Sequence, residues 1–189
     1  MVLPVVAYGS TILRKTAQDI NPDYPELNDL ISSMWETMYA SSGVGLAAPQ
    51  INKSIRLFII DATPFADEDK QADGFKKVFI NAHIVERIGD EWVFNEGCLS
   101  LPEIREDVSR PAKVRIKYLD ENFEHHDDVF EGIIARIIQH EYDHLDGILF
   151  VDRLSNLRKL LLKRKLSDIS QGKVQTSYKM KFPVAKTKK

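Results

Sequence analysis

Two histidines four residues apart, His140 and His144, enclose Glu141 in the segment His-Glu-Tyr-Asp-His. An α-helix turns once every 3.6 residues, so side chains at this spacing lie one above the other on one face. Glu141 lies on the neighbouring side of the same turn. Two imidazoles stacked in this way are typical of a metal-binding helix, and the adjacent carboxylate can reach a water on the same ion. The pattern therefore predicts a helix that carries a metal centre.

The residues before His140 indicate that this helix is buried. Ile133 and Ile137 continue the stripe of the two histidines, so the expected ligands face the protein interior. A single histidine on an apolar face is usually a hydrogen-bonded core residue. Two histidines and a glutamate would be three buried polar groups without partners unless an ion joins them. We expect the helix to begin at a capping box of Asp128 and Glu131 and to end at Gly147.

A catalytic metal site normally has three protein ligands and one open position, so a third ligand must come from elsewhere. Cys98 is the only cysteine of the chain, and it lies between Gly97 and Pro102 after the strand-like residues 91–94. A lone cysteine in an intracellular protein is more often a small buried apolar residue. Taken without its context, Cys98 leaves both interpretations open.

Three motifs give that context. They read Gly-Val-Gly-Leu-Ala-Ala-Pro-Gln at 43–50, Glu-Gly-Cys-Leu-Ser at 96–100 and Gln-His-Glu-Tyr-Asp-His-Leu-Asp-Gly at 139–147. In this order and at these separations the chain resembles the peptide deformylases, and the similarity extends over residues 3–166. Three motifs together are far more specific than the histidine pair alone. The resemblance implies a hydrolase that removes the N-formyl group from the first methionine of new polypeptides and releases formate.

The resemblance also implies a metal-dependent mechanism. It assigns Cys98, His140 and His144 as ligands of one divalent ion. It makes Glu141 the group that moves a proton from the attacking water to the leaving amine. One thiolate and two imidazoles suit Fe2+, Zn2+, Ni2+ and Co2+, and the ligand types do not select among them. The resemblance favours Fe2+ as the working ion, with zinc as a common and poorer occupant.

Further roles follow from the same resemblance. The side-chain amide of Gln50 and the backbone N–H of Leu99 are expected to hold the oxyanion of the tetrahedral intermediate. An extended peptide is expected to lie along the glycine-containing segment of the first motif, with an apolar pocket nearby for the methionine side chain. Apolar residues on the metal helix are core residues by default, which is the alternative for part of this set. The residues expected to contact substrate are Val44, Gly45, Phe94, Gly97, Arg105, Ile133 and Ile137.

Length and composition fit one globular enzyme. A chain of 189 residues with 43% hydrophobic residues suits a single catalytic domain, which we expect over residues 1–170. One cysteine excludes an internal disulfide and fits a reducing compartment. The first residues lack the basic region and apolar run of a secretory signal, and no stretch approaches membrane-spanning length. The cytoplasm is therefore the expected location, and no membrane partner is expected.

Helical periodicity occurs at both ends of the chain, and strand patterns lie between. Apolar residues repeat at helical spacing up to Met38, with Pro25 expected at the first helical position. Strand candidates are residues 55–60, 77–80, 92–94 and 113–118. Residues 64–74 are polar and aperiodic, which favours a mobile loop. We predict an α+β fold in which mainly antiparallel sheets pack around a central metal-binding helix, with a C-terminal helix.

The C-terminal end is strongly basic. From Arg153 to Lys189 there are twelve Lys or Arg residues and one acid, Asp168. A helix is expected at 155–166, followed by a basic, flexible tail over residues 171–189. A solvated helix face with a solubilising tail is one explanation, and a contact with RNA is the other. Because the expected substrates are nascent chains, we favour the ribosome as a partner, and we expect no DNA contact.

Two other functions compete with this one. A zinc endopeptidase with the same helix usually takes its third ligand from a His or Glu downstream, and no His follows His144. An RNA-binding protein with a structural metal needs a closed, four-ligand site, and no second cysteine exists to complete it. The sequence therefore favours the deformylase over both.

Overall fold

The computed structural model describes residues 1–183. Five 3-10 turns connect the described elements, at Thr11–Arg14, Ala48–Ile51, Thr63–Phe65, Lys70–Ala72 and Phe150–Arg153. None of the described helices is long and apolar enough to cross a membrane. The strands and helices, in chain order, are β1 (Val5–Val6), α1 (Leu27–Ala40), β2 (Gly45–Ala47), β3 (Leu57–Asp61), β4 (Lys76–Cys98), β5 (Leu101–Leu119), β6 (His125–Glu131), α2 (Gly132–Leu145), α3 (Asn156–Ser170) and β7 (Met180–Lys181).

Five antiparallel strands form the main sheet in the order β2-β3-β4-β5-β6. The long hairpin of β4 and β5 dominates it, and several register shifts interrupt the pairing of these two strands. Such irregularities bend a strand and increase its twist, so a 23-residue strand can curve around the helix that it covers. The predicted α+β fold is confirmed. The strand candidates 77–80, 92–94 and 113–118 fall within strands of this sheet, and the candidate 55–60 overlaps β3 from Leu57 onward.

Helix α2 lies at the centre of the molecule. All of its residues except Gly132 and His140 are buried, and its apolar side chains join a core cluster with those of β3, β4 and β5. A helix buried on nearly every side must find a partner for each polar group it carries. The polar residues of α2 are therefore candidates for a functional site.

The expected capping box of α2 is wrong. Asp128 and Glu131 lie on β6, which pairs with β5 along its whole length. The Tyr118 hydroxyl donates to Asp128 at 2.8 Å, and Lys113 forms an ion pair with Glu131 at 2.6 Å. Glu131 is the N-cap residue but its side chain makes no capping hydrogen bond, and α2 begins only at Gly132, whose φ is +61°. A residue without Cβ adopts this conformation at little cost, which allows the abrupt change from strand to helix.

Helix α1 starts two residues later than expected. Glu26 adopts a left-handed backbone conformation with φ of 55°, so the helix begins at Leu27 and Pro25 precedes it. The apolar side chains of Leu27, Ile31 and Met34 pack against β2 and β3, as their helical spacing predicts.

Residues 64–74 are less irregular than expected, because two of the 3-10 turns fall within or overlap this segment.

The C-terminal helix is present as α3 and is longer than expected, with Ser155 accepting the Arg158 N–H at its start. The chain then continues through residues 173–183, a segment that we call the C-terminal strap. Its strand β7 pairs in parallel with β1. The strap, which belongs to the tail expected to be flexible, packs on the body of the protein. Residues 184–189 of that tail lie outside the described residues.

Candidate metal centre and active site

Helix α2 carries His140, Glu141 and His144, as predicted. The ring centroids of the two histidines lie 5.3 Å apart, which fits side chains separated by about one helical turn. His144 is buried, and the His140 ring stacks on Phe150 with centroids 5.9 Å apart. The helix and its packing therefore set the positions of both rings.

Cys98 is the last residue of β4 and lies directly before the turn into β5. Its Sγ atom lies 3.3 Å from Nε2 of His144. One ligand atom each from Cys98, His140 and His144 lies within 4.8 Å of the others. Metal–ligand bonds of roughly 2.0–2.3 Å would allow atoms at these separations to share one ion. The structure thus brings together the three residues that the sequence identified as candidate ligands.

The chemistry of these three donors fits a divalent transition-metal ion. Burial, and then the neighbouring charge of His140, lowers the pKa of His144 to about 3, so this imidazole is neutral and can donate a lone pair. Burial opposes protonation of His140, but contacts with Cys98 and Glu96 raise its pKa well above the usual value. The neutral ring of His144 and the Glu96 carboxylate beside His140 are both compatible with a bound cation.

Glu141 lies against the backbone of β2. A Cβ atom at Gly45 would lie 2.4 Å from Oε1 of Glu141, so only glycine leaves room for this carboxylate. The other oxygen, Oε2, is buried and has no hydrogen-bond partner within residues 1–183. Burial raises the pKa of Glu141 to about 7. A carboxylate with these properties is suited both to accept and to release a proton.

Gln50 directs a hydrogen-bond donor at the same place. Its Oε1 atom accepts the Ala47 N–H at 2.8 Å, which fixes the orientation of the side-chain amide. Its Nε2 atom therefore points to Sγ of Cys98 at 3.5 Å and to Oγ of Ser100 at 3.4 Å. A preorganised donor beside a metal ligand is the arrangement that an oxyanion site requires.

Leu99 lies in the turn that joins β4 to β5. Two contacts from distant parts of the chain hold this turn. The Tyr8 N–H donates to the Ser100 carbonyl at 2.9 Å, and the Tyr178 hydroxyl donates to the Leu99 carbonyl at 2.8 Å. The expected oxyanion donor therefore belongs to a turn with a defined conformation.

A cavity of about 490 Å³ opens beside these groups. Cys98, His140 and Glu141 lie in its wall, together with Gln50 and Leu99. A volume of this size accommodates a peptide end or a small organic ligand. Six of the seven residues expected to contact substrate line it, namely Val44, Gly45, Phe94, Gly97, Arg105 and Ile137.

Two of the residues expected to contact substrate, Ile133 and Arg105, have surroundings that the sequence did not indicate. Ile133 is buried in the main core cluster and does not line the cavity. It lies one turn before Ile137 on α2, so the helix carries it past the cavity and into the core. Arg105 lines the cavity, but its guanidinium donates to the side chain and the backbone carbonyl of Asn95, at 3.0 and 2.6 Å.

A buried ion network behind the ligands was not predicted from the sequence. Glu96 accepts hydrogen bonds from Arg110 at 2.7 and 2.9 Å, from Arg136 at 2.9 Å and from Nδ1 of His140 at 2.9 Å. Arg110 also contacts Asp143 at 2.7 Å. The bond to Nδ1 leaves Nε2 of His140 available for an ion, as outer carboxylates do in many metal sites. Arg136 precedes His140 by four residues, and this spacing was the feature of the sequence that could have indicated the network.

The strap was the second feature that sequence reasoning missed. Residues 175–178 line the cavity, although the tail was expected to be flexible. In the structure, alternate residues of this segment are half-buried, as in a strand with one face covered. The alternation of side chains along the sequence was therefore the feature that could have indicated the strap. The half-buried residues are Val174, Thr176, Tyr178, Met180 and Phe182. Lys179 and Lys181 between them, in a basic C-terminal end, favoured the interpretation as a solvated tail.

Comparison with known proteins identifies the family of the chain. A family model described as polypeptide deformylase matches residues 2–160. The chain belongs to the polypeptide deformylase family. It is 53% identical to peptide deformylases of Christiangramia forsetii and of Flavobacterium johnsoniae, and each alignment covers 98% of both chains. The chain is therefore an enzyme of this family.

Solved structures of deformylases share the fold. A crystal structure of a peptide deformylase from Legionella pneumophila is 38% identical, with a TM-score of 0.78 over 92% of this chain and 98% of that one. The peptide deformylase from Thermotoga maritima is 36% identical, with a TM-score of 0.74 over 82% of this chain and 99% of that one. The deformylase fold thus extends beyond the part of the chain that carries the three motifs.

Proposed function

We propose that this deformylase removes the N-formyl group from the N-terminal methionine of newly synthesised polypeptides in the cytoplasm. Water cleaves the formamide, and the products are formate and a free amino terminus. One observation carries the proposal: the ligand atoms of Cys98, His140 and His144 lie within 4.8 Å of one another, and Cys98, His140 and Glu141 line the same cavity. Family membership supports the same activity.

Cys98, His140 and His144 would hold one divalent ion. When bound, such an ion supplies Lewis acidity, which polarises a carbonyl oxygen and lowers the pKa of a coordinated water to about 7. The donor set is compatible with Fe2+, Zn2+, Ni2+ and Co2+, and we propose Fe2+ as the working ion. If iron is the native ion, Cys98 and the ion are both oxidisable, so activity should decay in air and persist under anaerobic handling.

Glu141 acts as the proton carrier. It accepts a proton from the attacking water at its carboxylate and delivers that proton to the amide nitrogen as the C–N bond breaks. Its pKa of about 7 and its unpartnered Oε2 support both halves of this role. The negative charge on the formyl oxygen is stabilised by two donors, Nε2 of Gln50 and the N–H of Leu99.

The peptide lies extended along β2. This strand is at the edge of the sheet and pairs with β3 within the described residues, so its other side can accept main-chain hydrogen bonds from a peptide. Val44 and Gly45 would make these contacts. Phe94 and Ile137 line the same cavity and supply apolar surface for the methionine side chain.

Formate release from formyl-Met-Ala-Ser tests the proposal directly, with casein cleavage and RNA binding measured in parallel for the two other functions. Protein purified anaerobically should release formate, and its metal content should show about one divalent ion per chain. Failure to release formate, with the metal present, would remove the proposed activity. Equal activity with zinc and indifference to oxygen would contradict iron as the working ion.

Replacement of Glu141 separates metal binding from chemistry. Glu141→Gln and Glu141→Ala should lower turnover by about a thousandfold, within the range attributed to general acid–base catalysis. The metal content should stay unchanged, because Glu141 is not a ligand. Glu131→Gln, on β6 immediately before the same helix, is the matched control and should keep full activity. Near-normal activity of Glu141→Ala would refute the assigned role.

The ribosome remains a proposed partner. On α3, Leu157, Leu160 and Leu161 are each more than 60% exposed, and exposed Lys163 and Arg164 lie on the same helix. Apolar side chains beside basic ones suit a surface that combines protein and RNA. Nascent chains emerge at such a surface, which makes this partner consistent with the proposed substrate.

The structure refines the test of this partner. Arg158 binds Glu106 at 2.6 Å, so reversing its charge would disturb the fold as well as the surface. The double variant Lys163→Glu and Arg164→Glu should weaken co-sedimentation with ribosomes and leave hydrolysis of formyl-Met-Ala-Ser unchanged. Unchanged co-sedimentation would exclude the basic face of α3 as the contact.

A further inference from the structure

The C-terminal strap forms one side of the cavity, although it lies outside the three motifs that identify the family. Gln175, Thr176, Ser177 and Tyr178 line the cavity from this segment. Hydrogen bonds from Val5 N–H to the Lys179 carbonyl and from Ala7 N–H to the Lys181 carbonyl, both 2.9 Å, fix its end to β1. The strap therefore places side chains beside the site from a fixed backbone.

Tyr178 is the strap residue with a specific contact to the site. Its hydroxyl donates to the carbonyl oxygen of Leu99 at 2.8 Å. Burial raises the pKa of Tyr178 to about 12, so the hydroxyl keeps its proton over the working range of pH. The Thr176 hydroxyl donates to the Tyr178 carbonyl at 2.8 Å and steadies the strap at this point. The hydrogen bond to Leu99 thus joins the strap to the turn between β4 and β5, and other contacts hold both segments in place.

The contact matters because of where Leu99 lies. It is in the turn between Cys98, the last residue of β4, and Leu101, the first residue of β5. A turn residue is not held by the ladder bonds of the sheet, and its two peptide planes can rotate about the Cα atom. The Tyr178 hydroxyl holds the plane on one side of Leu99, and the plane on the other side carries the Leu99 N–H. Because pairing with Leu101 holds Cys98 at the far end of the second plane, restraint of the first plane limits rotation of the second.

We propose that Tyr178 is a positioning residue for the reaction: by holding the Leu99 carbonyl, it keeps the Leu99 N–H aimed at the developing oxyanion. This inference rests on the proposed deformylation and on the role of Leu99 in it. The strap would then contribute to turnover rather than only to stability. Oxyanion donors act through preorganisation, so a loosened donor lowers the rate without weakening ground-state binding.

Tyr178→Phe removes the hydroxyl and keeps the ring. The expected result with formyl-Met-Ala-Ser is a fall in kcat of about fivefold, the factor expected for loss of one neutral hydrogen bond, with KM unchanged. Tyr118→Phe is the matched control, because its hydroxyl also donates over 2.8 Å, to Asp128 on β6, and Tyr118 does not line the cavity. It should leave kcat unchanged. Metal content and thermal unfolding are measured for both variants.

The outcomes separate this inference from the proposed function. If the wild-type protein releases no formate, the function itself is wrong. If it does, an unchanged kcat in Tyr178→Phe overturns the positioning role. A rise in KM with constant kcat also overturns it, since Tyr178 would then act on substrate binding. A fall in kcat equal to that of Tyr118→Phe, with equal losses of thermal stability, would show a merely structural effect and overturn it as well.

Discussion

The two walls of the cavity are held by different kinds of contact. The inner wall consists of α2 and the end of β4, and buried charges fix it. Glu96 and Arg110 are 4% and 1% exposed, and their carboxylate–guanidinium contact joins β4 to β5 behind the ligands. The outer wall is the C-terminal strap, which a two-residue strand and half-buried side chains hold in place. The ligands lie on the inner wall, and the outer wall contacts the Leu99 turn.

This difference shows where the fold must be rigid. Asp143 receives hydrogen bonds from Arg110 at 2.7 Å and from Arg153 at 2.6 Å, and despite burial these contacts hold its pKa below the ordinary value. Removal of one member from such a network leaves another charge buried without a partner, which costs about 3–5 kcal/mol. The strap is held by backbone bonds and apolar packing instead. We therefore expect damage to the inner wall to be global and damage to the outer wall to be local.

The largest effect should follow loss of the charge at Glu96. Glu96→Gln keeps the shape of the side chain but leaves Arg110 and Arg136 facing one negative charge fewer, so the free energy of unfolding should fall by about 3 kcal/mol. Metal content should also fall, because the partner of His140 Nδ1 has changed. Urea denaturation and metal analysis measure the two effects.

Glu106→Gln is the control for this change. Glu106 lies opposite Glu96 in the register of β4 and β5. It is buried, but Arg158, with which it forms an ion pair, is half exposed. The same substitution should therefore cost only about 1 kcal/mol and leave the metal content unchanged. Equal losses in the two variants would contradict the view that the network behind the ligands is special.

Gly45→Ala should affect activity more than stability. The added methyl group would lie 2.4 Å from Oε1 of Glu141, and the backbone of Gly45 is not in the left-handed region, so the collision is the main effect. Displacement of the carboxylate by about 1 Å should lower kcat/KM by about a hundredfold. The melting temperature and metal content should change little. Activity within about threefold of wild type would show that Glu141 does not need its position against β2.

The sequence was most informative where one helix or one strand determines the geometry. The spacing of His140 and His144 was sufficient to predict that both rings point to one place, because helical periodicity is local. The strand candidates were likewise identified from alternation and β-branched residues, which act within a few positions. These are the parts of the site that a single element positions.

The features that were predicted wrongly or missed depend on contacts between residues far apart in the chain. Asp128 and Glu131 match a capping box, but pairing with β5 takes them into the sheet. The contacts of Glu96 with Arg110, and of Tyr178 with Leu99, join residues 14 and 79 positions apart. No local pattern identifies such contacts. The alternation in the strap was a local signal, but the lysines on its exposed face concealed it.

The smallest effect should follow weakening of the outer wall. Phe182 is half buried at the end of the strap and packs on a buried apolar cluster that includes Val6, Leu101 and Ile169, so Phe182→Ala should lower the free energy of unfolding by about 1 kcal/mol. The amide protons of Val5 and Ala7, which donate to the strap, should exchange faster with solvent, while those of α2 should keep their protection. Because β7 and β1 form a two-stranded sheet of their own, its opening need not disturb the five-stranded sheet. Equal loss of protection in α2 would show that the two walls unfold as one unit.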